Sequence, residues 1–229
     1  MRFALYGKLP AKRDFVAIQT WRGFLATFEP WLQQGVASSR AQLGTAWQDS
    51  YLHAPIWRFW IGHAVCGMTM LGVLMPSVDG VGRYFPLVLA AGAEADETLP
   101  NPETEAHDAW LGAAEDILLS ALGLETTLDE LTAAVAGLGS PAATSGVGAV
   151  PGLLRLGRNT LAGPFDGDPP AAFAALRGAD PDRGSAGSSY WWTTGGAAFR
   201  PRVMMAVGLP DPTIFAQFLI SSREAGAPA

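Results

Sequence analysis

The stretch Gly72-Val-Leu-Met-Pro-Ser-Val-Asp-Gly-Val-Gly-Arg-Tyr-Phe-Pro-Leu87 divides into three parts: an apolar run that stops at Pro76, a compact turn, and a second apolar run from Tyr84. It predicts two buried strands joined by a turn that carries Ser77, Asp79 and Arg83. Gly80 and Gly82 can take positive φ at no steric cost, and Asp79 can bond its own backbone to start the turn. This pattern makes a rigid corner at a sheet edge, holding one anion and one cation, rather than an active site.

The neighbouring segments extend the reading. Strands are predicted at 57–61, 66–75 and 84–91 with no helix between them, which favours an antiparallel meander because parallel neighbours need a long crossover. The apolar content of 66–75 and 84–91 predicts a sheet covered on both faces. Upstream lie a strand at 3–6, a loop at 7–15 and a helix over 21–43, with a kink or break near Glu29 because Pro30 falls inside it. A short helix follows at 45–51. Downstream, helical periodicity runs over 103–122, and Thr127 with Glu130 forms a capping box for another helix. Residues 139–188, rich in Gly, Pro and Ala, read as an excursion over the surface with a short helix at 170–177. Strands at 189–194 and 202–207 and a final helix opened by Asp211-Pro212 complete the chain. Trp191 and Trp192 are adjacent and so face opposite ways, which means that at most one needs the core. The prediction is a single α/β domain over 1–229 with a central, mainly antiparallel sheet.

Composition narrows the function. The 229 residues are 49% hydrophobic and 16% charged, which describes a globular, lightly charged chain able to bury a sizeable core. A net charge of −6 argues against coating nucleic acid. The charge is uneven: residues 84–154 hold no Lys or Arg, whereas Arg2, Lys8, Lys12, Arg13 and Arg22 cluster at the start. Cys66 is the sole cysteine and reads as a core residue, so no disulfide or thiolate cage is expected. His53, His63 and His107 lack metal-ligand spacing. Gly7-Lys8 is not a phosphate loop, because the upstream glycine is missing and Leu9 replaces the Ser or Thr that would hold magnesium. Asp14 and Asp79 read as turn residues rather than a catalytic carboxylate pair. No catalytic residue, metal ligand or cofactor site emerges, which favours an interaction protein over an enzyme. The uncharged stretch 59–78 is broken by Gly62, His63, Gly67, Gly72 and Pro76, so it suits a hairpin better than a membrane helix. A cytoplasmic protein without a signal peptide or membrane insertion is expected.

Three blocks together resemble the TagF (ImpM) family of bacterial type VI secretion accessory proteins. They are Tyr6-Gly-Lys-Leu-Pro-Ala-Lys-Arg-Asp-Phe15, then Ala54-Pro-Ile-Trp-Arg-Phe59 with Gly72–Leu87, and Ser189-Tyr-Trp-Trp-Thr193. Arg13 stands where the family usually has glycine. The resemblance implies a sheet between helical layers (a three-layer α-β-α sandwich similar to longin-type folds). It also implies a post-translational repressor of secretion linked to the forkhead-associated (FHA) scaffold protein of the cluster. No catalytic residues are carried over. The candidate contact is Lys8, Lys12, Arg13 and Asp14, with Asp79 and Arg83 as a neighbouring corner that is either contact or internal ion pair. Two alternatives stay open: a structural component of the apparatus, and a nucleotide-binding enzyme using the Gly-Lys loop.

Overall fold

The computed structural model describes residues 1–94, 97, 99–141, 154–156, 160–163, 167–178, 185–197 and 199–221. These hold nine strands: β1 (Arg2–Gly7), β2 (Val16–Ile18), β3 (Trp57–Ile61), β4 (Met70–Met75), β5 (Leu87–Gly92), β6 (Leu154–Leu156), β7 (Thr160–Gly163), β8 (Ser188–Thr193) and β9 (Arg202–Val207). All join one sheet in the order β2-β1-β5-β4-β3-β8-β9-β7-β6, and every neighbouring pair is antiparallel. The predicted meander is the run β3-β4-β5 at the centre. The helices are α1 (Arg22–Leu43), α2 (Trp47–Leu52), α3 (His63–Cys66), α4 (Asp108–Ser120), α5 (Leu128–Gly137) and α6 (Pro169–Gly178).

Strand alternation sends side chains to two separate cores. Leu5, Trp60, Leu71, Leu89, Tyr190 and Trp192 pack with Trp110, Leu111 and Leu118 of α4, Leu131 of α5 and Phe173 of α6. Tyr6, Phe59, Val88 and Trp191 pack with Phe24, Phe28 and Trp31 of α1, Tyr51 of α2, and Phe215 and Phe218 of a 3-10 turn at Pro212–Phe218. Both faces are therefore covered, and Trp191 and Trp192 are each fully buried. That corrects the expectation that only one of them needs the core: a strand between two helical layers buries both faces of its pleat.

Local chemistry explains several boundaries. α1 runs through Pro30 as one helix, so of the expected kink or break the break does not occur. Phe28, Trp31 and Leu32 on either side of the proline are buried in one apolar face, which holds the helix together. His63–Cys66 forms a helical turn, so β4 starts at Met70 rather than at 66, and β5 starts at Leu87 rather than at 84. α4 starts at Asp108, later than predicted. Pro100 and Pro102 flank an Asn101 turn, in which Asn101 Oδ1 accepts from the Glu103 N–H at 3.2 Å. Thr127 and Glu130 form the predicted capping box.

The excursion reading is overturned where the stretch is described: β6 and β7 extend the sheet beyond β9, and Phe173 and Leu176 of α6 are fully buried. The remainder of 139–188 lies largely outside the described residues. α4 is tied to the sheet by Arg58, which donates to Glu115 at 2.6 Å and to Asp108 at 2.7 Å. Burial opposes the charge on Arg58, but these two carboxylates outweigh it and raise its pKa. Cys66 is buried, as expected, and burial pushes its thiol up to about 11. No helix among the described residues is long and apolar enough to cross a membrane.

Candidate functional site

The turn between β4 and β5 folds onto the loop between β1 and β2. Asp79 Oδ1 accepts from the backbone N–H groups of Val81 at 3.1 Å and Arg83 at 2.9 Å, closing the turn on itself. Gly82 takes φ +85° within it. Gly80 does not take a positive φ; it serves a close approach instead. Its N–H donates to the Lys12 carbonyl at 2.8 Å, and a Cβ there would lie 2.9 Å from the Pro10 carbonyl oxygen. Ser77 Oγ donates to the Lys8 carbonyl at 2.7 Å, while the Tyr51 hydroxyl bridges the Ser77 N–H and carbonyl at 3.2 Å each.

The centre of the corner is the Asp79 carboxylate. Its Oδ2 accepts from Lys8 Nζ at 2.5 Å and from Arg83 Nε at 2.7 Å, and its side chain is closed to solvent. Burial alone would raise the Asp79 pKa. The hydrogen bonds from Lys8, Arg83 and Val81 overcome that and hold the carboxyl well below the usual range. Two cations thus share one anion, where the sequence predicted a single pair. The corner also does not lie on a sheet edge: β4 and β5 are interior strands, and the turn stands at their ends.

The predicted contact residues divide. Lys8 and Asp79 are buried and engaged with each other, and so face no partner in this arrangement. Lys12, Arg13, Asp14 and Arg83 are exposed around them. Arg83 also donates to the Arg13 carbonyl, which links the exposed ends of turn and loop. With Lys8 turned onto Asp79, the Gly7-Lys8 pair has no free ammonium to offer a phosphate. No group of three or more His, Cys, Asp or Glu placed to hold a metal occurs among the described residues.

Aromatic residues frame the charged corner. The Phe15 ring is 47% exposed, meets Phe85 edge to face at 4.8 Å and stacks on Tyr6 at 5.8 Å. Lys8 Nζ lies 4.9 Å from its centroid. A groove of about 550 Å³ separates Phe15 and Phe85 from Gln33, Val36, Ala37, Arg40 and Ala41 of α1. A second, of about 600 Å³, runs past Arg40, Trp47, Gln48, Arg83 and Tyr84. The sequence reading placed none of Phe15, Arg40 and Phe85 at the site. The spacing of Gln33, Val36, Ala37, Arg40 and Ala41, three and four apart, is the signal that marks them as one helix stripe.

The geometry defines an α/β protein whose charges are arranged around a surface corner rather than converging in a cleft. The chain belongs to the TagF family, since the family model for the type VI secretion system-associated TagF N-terminal domain matches residues 4–138. The crystal structure of PA0076 from Pseudomonas aeruginosa PAO1, at 2.05 Å resolution, is similar over 95% of this chain and 94% of its own, with 31% identity and a TM-score of 0.70. No curated protein matches.

Proposed function

We propose that this protein is a non-enzymatic, cytoplasmic accessory factor that restrains type VI secretion after translation by binding a component of the apparatus, most directly its FHA-domain scaffold. Family membership supports the association with type VI secretion. The observation that supports a binding role is the corner itself. The buried Lys8–Asp79 pair, closed from outside by the exposed Arg83, fixes the loop, so that Lys12, Arg13 and Asp14 stand exposed on an ordered backbone. Preorganised charges of this kind favour association because little ordering remains to be done on binding. The longin-like reading of the layered fold belongs to the same proposal.

Deletion and overproduction in the host test it. Deletion is expected to raise the amount of secreted type VI substrates in the culture medium, with component levels unchanged inside the cell, and overproduction to lower it. Loss of all secretion on deletion would contradict a restraining role and make the protein a structural part of the apparatus.

A further inference from the structure

We propose that the groove between α1 and the Phe15–Phe85 pair docks an acidic segment of a partner protein, which seats one apolar side chain against Val36 and sets carboxylates against Arg40 and Arg83. This deepens the regulator reading and rests on it only for the partner's identity.

Three observations converge on this occupant. The groove has an apolar floor and wall: Phe85 is buried, Val36 is half-buried, and Phe15 stands 47% exposed. Ala37 and Ala41 leave depth between them because their side chains end at Cβ. A space of about 550 Å³ suits one large side chain and its neighbours rather than a folded domain.

The rim is positive. Arg40 lines the groove, Arg83 lines the adjoining one, and Lys12 and Arg13 stand beside Phe15. Against them are Asp14 and Glu29, the latter accepting from Gln33, in a chain whose net charge is −6. Arg40 is held rather than free: its guanidinium lies 4.2 Å from the Trp47 ring centroid, and it lines both grooves. Among the described residues it has no carboxylate partner. A guanidinium stacked on an aromatic face keeps its in-plane N–H groups free for a carboxylate.

The charge distribution also bears on the size of the partner. A long polyanion would run onto the acidic remainder of the chain, whereas a short acidic segment meets only this face.

The probes are two synthetic twelve-residue peptides, each with one Leu and one Phe, set among Glu in the first and among Lys in the second. Titration into the isotope-labelled full chain is followed by NMR. The glutamate peptide is expected to shift the amides of Ala37, Ala41, Tyr84 and Phe85 and to bind at least fivefold more weakly at 300 mM than at 50 mM salt. Arg40→Glu and Ala41→Trp are each expected to weaken it at least tenfold. Both positions are exposed, so an unchanged spectrum for the strands reports retained folding; Arg40→Gln replaces Arg40→Glu if that spectrum changes.

The assignment is overturned if the glutamate peptide leaves those amides unmoved, if the lysine peptide moves them equally, or if neither variant matters. Shifts of the same amides with protein concentration alone would place a second copy there and also overturn it. Adding the purified FHA scaffold separates the two readings. Peptide binding without scaffold binding keeps the groove and removes that partner. Scaffold binding that is equal for wild type and Ala41→Trp keeps the partner and removes the groove.

Discussion

Lys8 Nζ donates to Asp79 Oδ2 at 2.5 Å across 71 positions of the chain, with both side chains closed to solvent. The pair joins the loop after β1 to the turn after β4, and it is the one place where the charged corner reaches the interior. A buried pair adds little compared with an apolar pair of the same volume, because both ions must leave water. Breaking it is costly, since one ion then remains buried and alone.

Asp79→Asn is accordingly expected to destabilise the protein by about 3–5 kcal/mol, measured by urea unfolding. Arg83→Ala removes the exposed partner of the same carboxylate, whose side chain is 56% accessible. Its cost should stay near 0–1 kcal/mol, the range of solvent-exposed ion pairs.

The same carboxylate shapes the acid limb of stability. The Asp79 pKa lies lower in the folded state than the value of about 3.9 expected unfolded. Between those values the unfolded state binds more protons, so stability falls as pH falls. The contribution of Asp79 is thus fully present above about pH 5 and is lost as pH drops through the folded pKa. Unfolding free energies taken from pH 5.5 down to 2.5 should fall more steeply for the wild type than for Asp79→Asn.

Trp191 and Trp192 offer a test of the double-faced sheet. Each is fully buried, in opposite cores. Trp191→Ala and Trp192→Ala are each expected to cost about 3–5 kcal/mol. A loss at only one position would mean that one face of β8 is open.

Much of this corner is legible locally, and its remote parts are not. Asp79, Gly82 and Arg83 interact within four positions, so turn chemistry reveals them. Lys8 joins Asp79 only because β1 and β5 are neighbours in the sheet, a pairing that no spacing in the sequence encodes. The groove draws Phe15, Val36, Arg40 and Phe85 from three segments and is invisible for the same reason. β6 and β7 were missed because Leu154–Leu156 and Thr160–Gly163 are too short for alternation to show and lie in a Gly/Pro-rich context. The β3-β4-β5 meander and the Thr127 cap were readable because each depends on contiguous residues.

Gly80 tests whether the turn holds the loop without involving charge. Gly80→Ala would place a methyl 2.9 Å from the Pro10 carbonyl oxygen. Separating the two backbones is expected to cost about 1–2 kcal/mol, within the range of overpacking. Hydrogen exchange should speed up at the Gly80 amide, which is bonded to Lys12.

The central claim is that the ordered basic loop binds the secretion scaffold, and calorimetric titration of the purified FHA scaffold with wild type and with a Lys12→Glu/Arg13→Glu variant tests it most directly. The account predicts saturable binding by the wild type and a loss of at least tenfold in the variant, whose exposed positions leave the fold intact. Binding that is equal for both proteins, or absent for the wild type, would contradict it.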